Sequence, residues 1–107
     1  MIRLTVLYNL QPDVDESQFL QWRLGEHQQE NMASPGVIRS DFGLVQLDAM
    51  REAPPAYRFM TTADWPDMES FRAAFYAPEM QEGLKESLKM LKDPLFLVSE
   101  ILVQEAN

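Results

Sequence analysis

One histidine is the clearest candidate for chemistry in this chain. His27 is the only imidazole among 107 residues, and an imidazole can take up and release a proton near neutral pH. Arg23 precedes it by four residues, which places both side chains on one face of a helix. His27 could therefore deprotonate a phenolic or enolic ligand. Alternatively, it is a helix-end residue that interacts with the last carbonyl groups or with Glu30.

Other kinds of catalytic site lack the residues they need. The chain has no cysteine, which excludes disulfides, thiolate metal sites and cysteine nucleophiles. A single histidine cannot build a histidine-rich metal site, and no Gly-x-Ser-x-Gly motif accompanies the serines. Four glycines form no dinucleotide or phosphate loop. Asp13, Asp15 and Glu16 are the closest group of carboxylates, and their position is typical of a helix cap. We therefore expect no metal site.

Several aromatic and polar side chains are candidates for a ligand pocket. The residues that we expect to contact a substrate are Tyr8, Trp22, Arg23, Phe42 and Tyr57. Tyr8 and Tyr57 lie near predicted strand ends, where a buried phenol needs a polar partner. Arg39 or Arg58 could hold a ligand carboxylate. The alternative is that the aromatic residues belong to the hydrophobic core and the arginines to solvated strand surfaces.

The charge balance limits the partners. Seventeen acidic and nine basic residues give a formal charge of −8. Nucleic-acid binding needs a basic stripe, and anionic membranes need basic patches, so neither partner is expected. No run of 18 apolar residues predicts a membrane span, and the first residues alternate rather than forming a signal peptide. We expect a soluble, cytoplasmic protein.

Hydrophobic periodicity predicts four strands and two helical regions. The segments are a strand at Ile2–Tyr8, a helix from about Glu16 to Asn31, strands at Val37–Leu47 and Tyr57–Ala63, a helical region from Asp64–Asp67 to Leu91 that Pro78 interrupts, and a strand at Leu95–Gln104. This order is typical of a ferredoxin-like α+β domain with a four-stranded antiparallel sheet. The apolar run at Leu95–Val98 predicts that the last strand lies beside the first in the centre of the sheet.

The predicted sheet has a face that the helices do not cover. A chain of 107 residues fits one domain, residues 1–107, and lacks cross-links. Since a bare apolar sheet face is normally an interface, we expect two copies to pair through it as a dimeric α/β barrel.

Segments along nearly the whole chain match the pattern of one known family. They are Leu4–Asn9, the helix positions Phe19, Trp22 and His27, the turn Pro35–Val37, Pro55–Arg58, Asp67–Phe71 and Leu97–Glu100. Together they resemble EthD-like proteins of the dimeric α/β barrel superfamily. One position departs from the pattern: Gln29 stands where the family commonly has proline. Polyketide-related and antibiotic-biosynthesis branches share the same fold.

The resemblance implies a cofactor-free and metal-free homodimer with an apolar pocket between sheet and helices. Such proteins are tied to oxidative catabolism or to polyketide and aromatic secondary metabolism.

As an enzyme, the chain would be an isomerase, cyclase, decarboxylase or cofactor-independent monooxygenase in which His27 moves a proton and Tyr8 or Tyr57 orients the substrate. As a non-enzyme, it would be an accessory protein or ligand carrier for a partner enzyme. A third alternative is a structural dimer with a filled core. A cavity of a few hundred Å³ beside His27 would separate the first two from the third.

Overall fold

Strands and helices follow one another in the order predicted from the sequence. The computed structural model describes residues 1–107. Its elements are β1 (Ile2–Leu10), α1 (Glu16–Leu24), α2 (Glu26–Met32), β2 (Arg39–Leu44), β3 (Phe59–Trp65), α3 (Met68–Phe75), α4 (Pro78–Leu88) and β4 (Leu91–Glu100). Each predicted helical region consists of two consecutive helices. The predicted ferredoxin-like α+β fold is confirmed.

The sheet has the strand order β2-β3-β1-β4, and every pair is antiparallel. The last strand does lie beside the first, as predicted, but the prediction that it is central is wrong, because β4 pairs only with β1 and forms an edge. Its apolar run alternates between faces: Phe96 lies opposite Val6, whereas Leu97 lies opposite Thr5. Pro94 lacks a backbone N–H, which an edge strand tolerates.

The sheet face that packs against the helices carries the core. In β1 every second residue from Ile2 to Tyr8 is buried, which is the predicted period of two. Tyr8 lies opposite Phe59 of β3 and their rings stack with centroids 5.5 Å apart, so apolar contacts join the two central strands. The buried hydrophobic residues are Ile2, Leu4, Val6, Tyr8, Phe19, Phe59, Trp65, Phe71, Ala74 and Phe75.

Each helical region begins at an aspartate: Asp15 lies in the carboxylate group interpreted as a cap, and Asp67 ends the Asp64–Asp67 segment that was predicted to begin the second region. Asp15 accepts a hydrogen bond from the backbone N–H of Gln18 (2.9 Å), and Asp67 accepts one from that of Ser70 (2.8 Å). The predicted continuous helix to Asn31 is wrong. Gly25 adopts φ −98° and ψ −102°, outside the helical region, and separates α1 from α2. No helix is both long and apolar enough to cross a membrane.

The opposite sheet face, here called the outer face, has no helix over it. Its apolar side chains are Leu7, Met60, Leu95 and Leu97, of which the last three are 38%, 41% and 48% exposed. At one end of this face Arg3 forms a bidentate pair with Asp64, through Nε–Oδ1 (2.8 Å) and Nη2–Oδ2 (3.1 Å). The outer face is therefore an apolar stripe bounded by an ion pair.

Candidate functional site

A cavity of about 380 Å³ lies between the sheet and the helices. Leu4, Val6 and Tyr8 of β1 contribute to its wall from the sheet, and Met80 and Leu84 of α4 contribute apolar side chains from the helices. Its volume falls in the range of small-molecule pockets, and its lining is mostly apolar. The space expected beside His27 is present, so a completely filled core is not what this sequence forms.

Arg23 lies in the last turn of α1 and is only 2% exposed. Its Nη1 donates to Oε1 of Gln28 (2.7 Å) and its Nη2 to Oγ1 of Thr61 (3.3 Å). The guanidinium carbon lies 4.4 Å from the centre of the Phe42 ring. Burial lowers the pKa of Arg23, while the neighbouring Tyr8 acts in the opposite direction. Arg23 is thus a buried cation held by neutral groups.

His27 lies in α2, with its side chain 23% exposed on the cavity wall. Its ring stacks on that of Trp22, with centroids 4.1 Å apart. Nδ1 lies 3.4 Å from Oε2 of Glu30, which is long for a hydrogen bond, and the buried Nδ1 has no other partner. Burial and then the charge of Arg23 lower the pKa of His27, and Glu30 opposes them. These effects favour the neutral form of the imidazole, which can accept a proton.

A short polar chain links Arg23 to the sheet. The hydroxyl groups of Tyr8 and Thr61 lie 3.2 Å apart, and Thr61 also accepts from Arg23. Sequence reasoning did not identify Thr61 or Gln28 as parts of this arrangement. For Thr61 a signal was present, because its alternation with Phe59 and Ala63 places a hydroxyl on the buried face of β3.

The predicted site residues fall into two groups. His27, Tyr8, Trp22 and Arg23 line the same cavity. Phe42 does not reach it and packs instead against Arg23 and Phe59.

The remaining candidates lie elsewhere. Tyr57 belongs to the loop before β3, outside the cavity lining. Arg58 pairs with Glu16 (3.1 Å) and Arg39 with Asp41 (3.0 Å), so neither side chain is free to hold a carboxylate in the cavity.

Exposed carboxylates lie at the opening of the cavity. Glu30, Glu79 and Glu86 contribute to its lining and are themselves exposed. No three His, Asp or Glu side chains come together in a group that could hold a metal ion. The opening is therefore acidic, whereas the inner wall holds the cation of Arg23.

Because His27 is the only histidine, its NMR titration reports how neighbouring charges and burial affect the site. We expect the NMR titration midpoint of His27 to lie below that of histidine in a short peptide, because burial and Arg23 both disfavour its protonated form. Arg23→Met should raise this pKa and Glu30→Gln should lower it further. Since the folded pKa lies below the unfolded one, the contribution of His27 to stability should be complete above about pH 6.5 and decrease as the pH falls. A midpoint at or above the peptide value would contradict this assignment.

Comparison with known proteins adds a family and a set of related folds. The model of the family described as REDY-like protein HapK matches residues 2–102. No match was found among curated proteins.

Solved structures match over nearly the whole chain. An EthD family protein from Bacillus halodurans is 21% identical, with a TM-score of 0.73 and coverage of 95% of this chain and 99% of its own. A dimeric ferredoxin-like protein of unknown function from Thermobifida fusca is 24% identical, with a TM-score of 0.70 and coverage of 94% and 90%. A variant of SnoaB, a cofactor-independent oxygenase from Streptomyces nogalater, is 11% identical, with a TM-score of 0.72 and coverage of 96% and 94%. The resemblance to EthD-like proteins of the dimeric α/β barrel superfamily is thereby confirmed for the fold.

Proposed function

The chain belongs to the family of the REDY-like protein HapK, and from this membership we propose that it binds a small, mostly apolar or aromatic metabolite and transfers a proton from it through His27. The ligand would occupy the cavity between sheet and helices. The reaction would need no cofactor, since an imidazole alone can serve as the base.

The position of His27 carries this proposal. A neutral imidazole on the wall of an apolar cavity has a free ring position to accept a proton and little competing water. Trp22 stacks on the ring and restricts its orientation. Arg23 lines the same cavity as His27, so it can also stabilise a negative charge that forms on the ligand.

The fold supports the same reaction class. SnoaB, which shares it, is described as a cofactor-independent oxygenase. Cofactor-free oxygenation, isomerisation and cyclisation can each begin when a base removes a proton from a phenol or from the carbon next to a carbonyl group. A residue that performs this first step would serve any of these reactions.

A second candidate function is that of a non-catalytic accessory protein or carrier. Catalytic histidines are usually oriented by a short hydrogen bond to the second ring nitrogen. Here that contact, between Nδ1 of His27 and Glu30, measures 3.4 Å. A cavity that only shelters a reactive intermediate for a partner enzyme would not need a better oriented imidazole.

We also propose that the protein acts as a homodimer through the outer face. Met60, Leu95 and Leu97 leave an apolar stripe there, and burying such a stripe is favourable. The related protein from Thermobifida fusca is described as dimeric. The cavity opens on the other side of the sheet, so pairing leaves it accessible.

Proton exchange on a simple carbon acid tests the proposed function without the natural substrate. The probe is 2-tetralone, an aromatic ketone, incubated in D₂O and followed by NMR as deuterium replaces its α-hydrogens. We expect the protein to accelerate exchange, and His27→Gln to lower the rate by about 10²–10⁴-fold, the usual contribution of a general base.

The control is Gln29→Ala, which changes an exposed side chain of the same helix and should leave exchange intact. Binding, followed by quenching of tryptophan fluorescence, is measured in parallel. Binding with no His27-dependent exchange would favour the carrier, and absence of binding would refute both functions for this class of ligand.

A further inference from the structure

Arg23 is the only buried basic residue, and it lacks an acidic partner. Four other arginines pair with carboxylates, and the remaining one, Arg72, is exposed. Only neutral oxygens, of Gln28 and Thr61, accept hydrogen bonds from Arg23. A buried charge without a counter-ion is costly, which makes Arg23 a candidate functional residue.

The surroundings of Arg23 form a site for an oxygen atom. Five N–H groups belong to a guanidinium, and two nitrogens of Arg23 donate to protein side chains, leaving donors available at the cavity wall. The hydroxyl of Tyr8, bonded to Thr61, lies beside them. The ring of Phe42, which is not part of the cavity lining, packs against the guanidinium and holds it in place.

The charge at the opening indicates in which form the ligand enters. Glu30 and Glu79 are exposed there without a Lys or Arg partner, Glu86 pairs with Lys89 (3.1 Å), and the chain has a formal charge of −8. A permanent anion such as a carboxylate would be repelled as it approaches. A neutral molecule would not, and a negative charge that forms inside would meet the cation of Arg23.

We propose that the cavity binds a neutral, weakly acidic phenol or enol and holds it as the conjugate base, with the new oxyanion bound by Arg23. This rests on the proposed function, because His27 receives the proton. The O–H bond of the ligand breaks, or the α-C–H bond of its keto form. The electron pair stays on the ligand, its charge resides on the oxygen beside Arg23, and an N–H bond forms on His27. No oxidant or reductant takes part.

Three matched aromatic probes test this charge selection: 2-naphthol, the permanent anion 2-naphthoate, and 2-methylnaphthalene, which has no acidic group. We expect 2-naphthol to bind more tightly than 2-methylnaphthalene, and 2-naphthoate to associate at least about tenfold more slowly than 2-naphthol, since the acidic opening opposes its approach. The absorption band of naphtholate reports ionisation. Bound to the protein, 2-naphthol should ionise at a pH at least about one unit lower than in water, a tenfold change in acidity.

Variants of Arg23 identify the group responsible. Arg23→Met should return the ionisation midpoint to the value in water or above it, and Arg23→Lys should retain part of the shift. Both are first checked by thermal unfolding. Since the methionine removes an unpaired buried charge, we expect no loss of stability. Should either variant fail to fold, the unmodified protein still decides: association of 2-naphthoate as fast as that of 2-naphthol, or an unshifted midpoint, would overturn the proposal.

The experiments can refute the base at His27 and the oxyanion site at Arg23 independently of each other. His27-dependent exchange of 2-tetralone together with an unshifted naphthol midpoint would leave the base in place and remove the oxyanion site. A shifted midpoint without His27-dependent exchange would keep the oxyanion site and remove the base.

Discussion

Replacing Phe59 with alanine is expected to lower the free energy of unfolding by about 3–5 kcal/mol, the usual cost of truncating a buried phenylalanine. Phe59 is 1% exposed, and its ring packs against those of Tyr8 (5.5 Å), Phe19 (5.3 Å) and Phe42 (6.1 Å). It joins the two central strands to α1. Because small domains are stable by only about 5–15 kcal/mol, the substitution should remove a large part of the free energy of unfolding. Urea unfolding followed by circular dichroism measures the difference.

The matched control for Phe59→Ala is Met50→Ala. Met50 is 94% exposed in the loop between β2 and β3, so its truncation should change stability by less than about 0.5 kcal/mol. A loss below 1 kcal/mol for Phe59→Ala, on the order of a surface substitution, would show that this aromatic cluster does not hold the sheet to the helix.

Introducing two carboxylates into the outer face should convert a dimer into a monomer. In Leu95→Glu/Leu97→Glu, neighbouring residues of the apolar stripe become charged. In a two-fold interface each substitution occurs twice, so like charges would lie close together in the dimer. We expect the dissociation constant of the dimer to rise by at least about 10³-fold, equivalent to about 4 kcal/mol of dimerisation free energy. Sedimentation equilibrium at micromolar protein measures the change.

The control for the outer face carries the same charges on the helical side. Leu24 and Met68 are exposed apolar residues of α1 and α3. Leu24→Glu/Met68→Glu should remain dimeric. A monomeric unmodified protein would refute pairing altogether, and a dimeric Leu95→Glu/Leu97→Glu variant would assign pairing to a different surface.

Local patterns were sufficient to predict the order of elements. The alternation from Ile2 to Tyr8 depends on neighbouring residues alone and is confirmed, and the aspartate caps lie within the segments where the helices were predicted to begin. Features that depend on how the strands assemble into a sheet were harder to predict. The helical region was predicted to extend to Leu91 and the last strand to begin at Leu95, yet β4 begins at Leu91 and includes Asp93 and Pro94.

The physical reason is a bulge. Leu7 lies opposite Leu95 and Asn9 opposite Lys92, so β4 contains one extra residue here, and Asp93 has a positive φ of 52°. Only an edge strand accommodates such an irregularity without disrupting a second neighbour, and the sequence does not reveal which strand is the edge. The break at Gly25 was missed for a similar reason, since the polar residues of α2 continue the pattern of α1.

The candidate site was predictable in part. His27 and Arg23 were identified by residue type and by their spacing of four, and both line the cavity. Phe42 and Tyr57 were chosen as aromatic residues, but residue type does not distinguish a cavity wall from packed core or loop. Thr61 contacts Arg23 from a strand 38 positions away in the chain, a distance that sequence patterns do not bridge.

The break at Gly25 divides the proposed chemistry between helices of different local stability. The first helix has the Asp15 cap and buries Phe19 and Arg23. The second has seven residues, no side-chain cap and no buried residue, so it should unfold locally at a lower free energy. The cation is thus anchored to the core while the base is carried by a segment that can open alone. Local opening of α2 would then widen the way to the cavity beside His27 and break the hydrogen bond from Arg23 to Gln28, while the sheet stays intact.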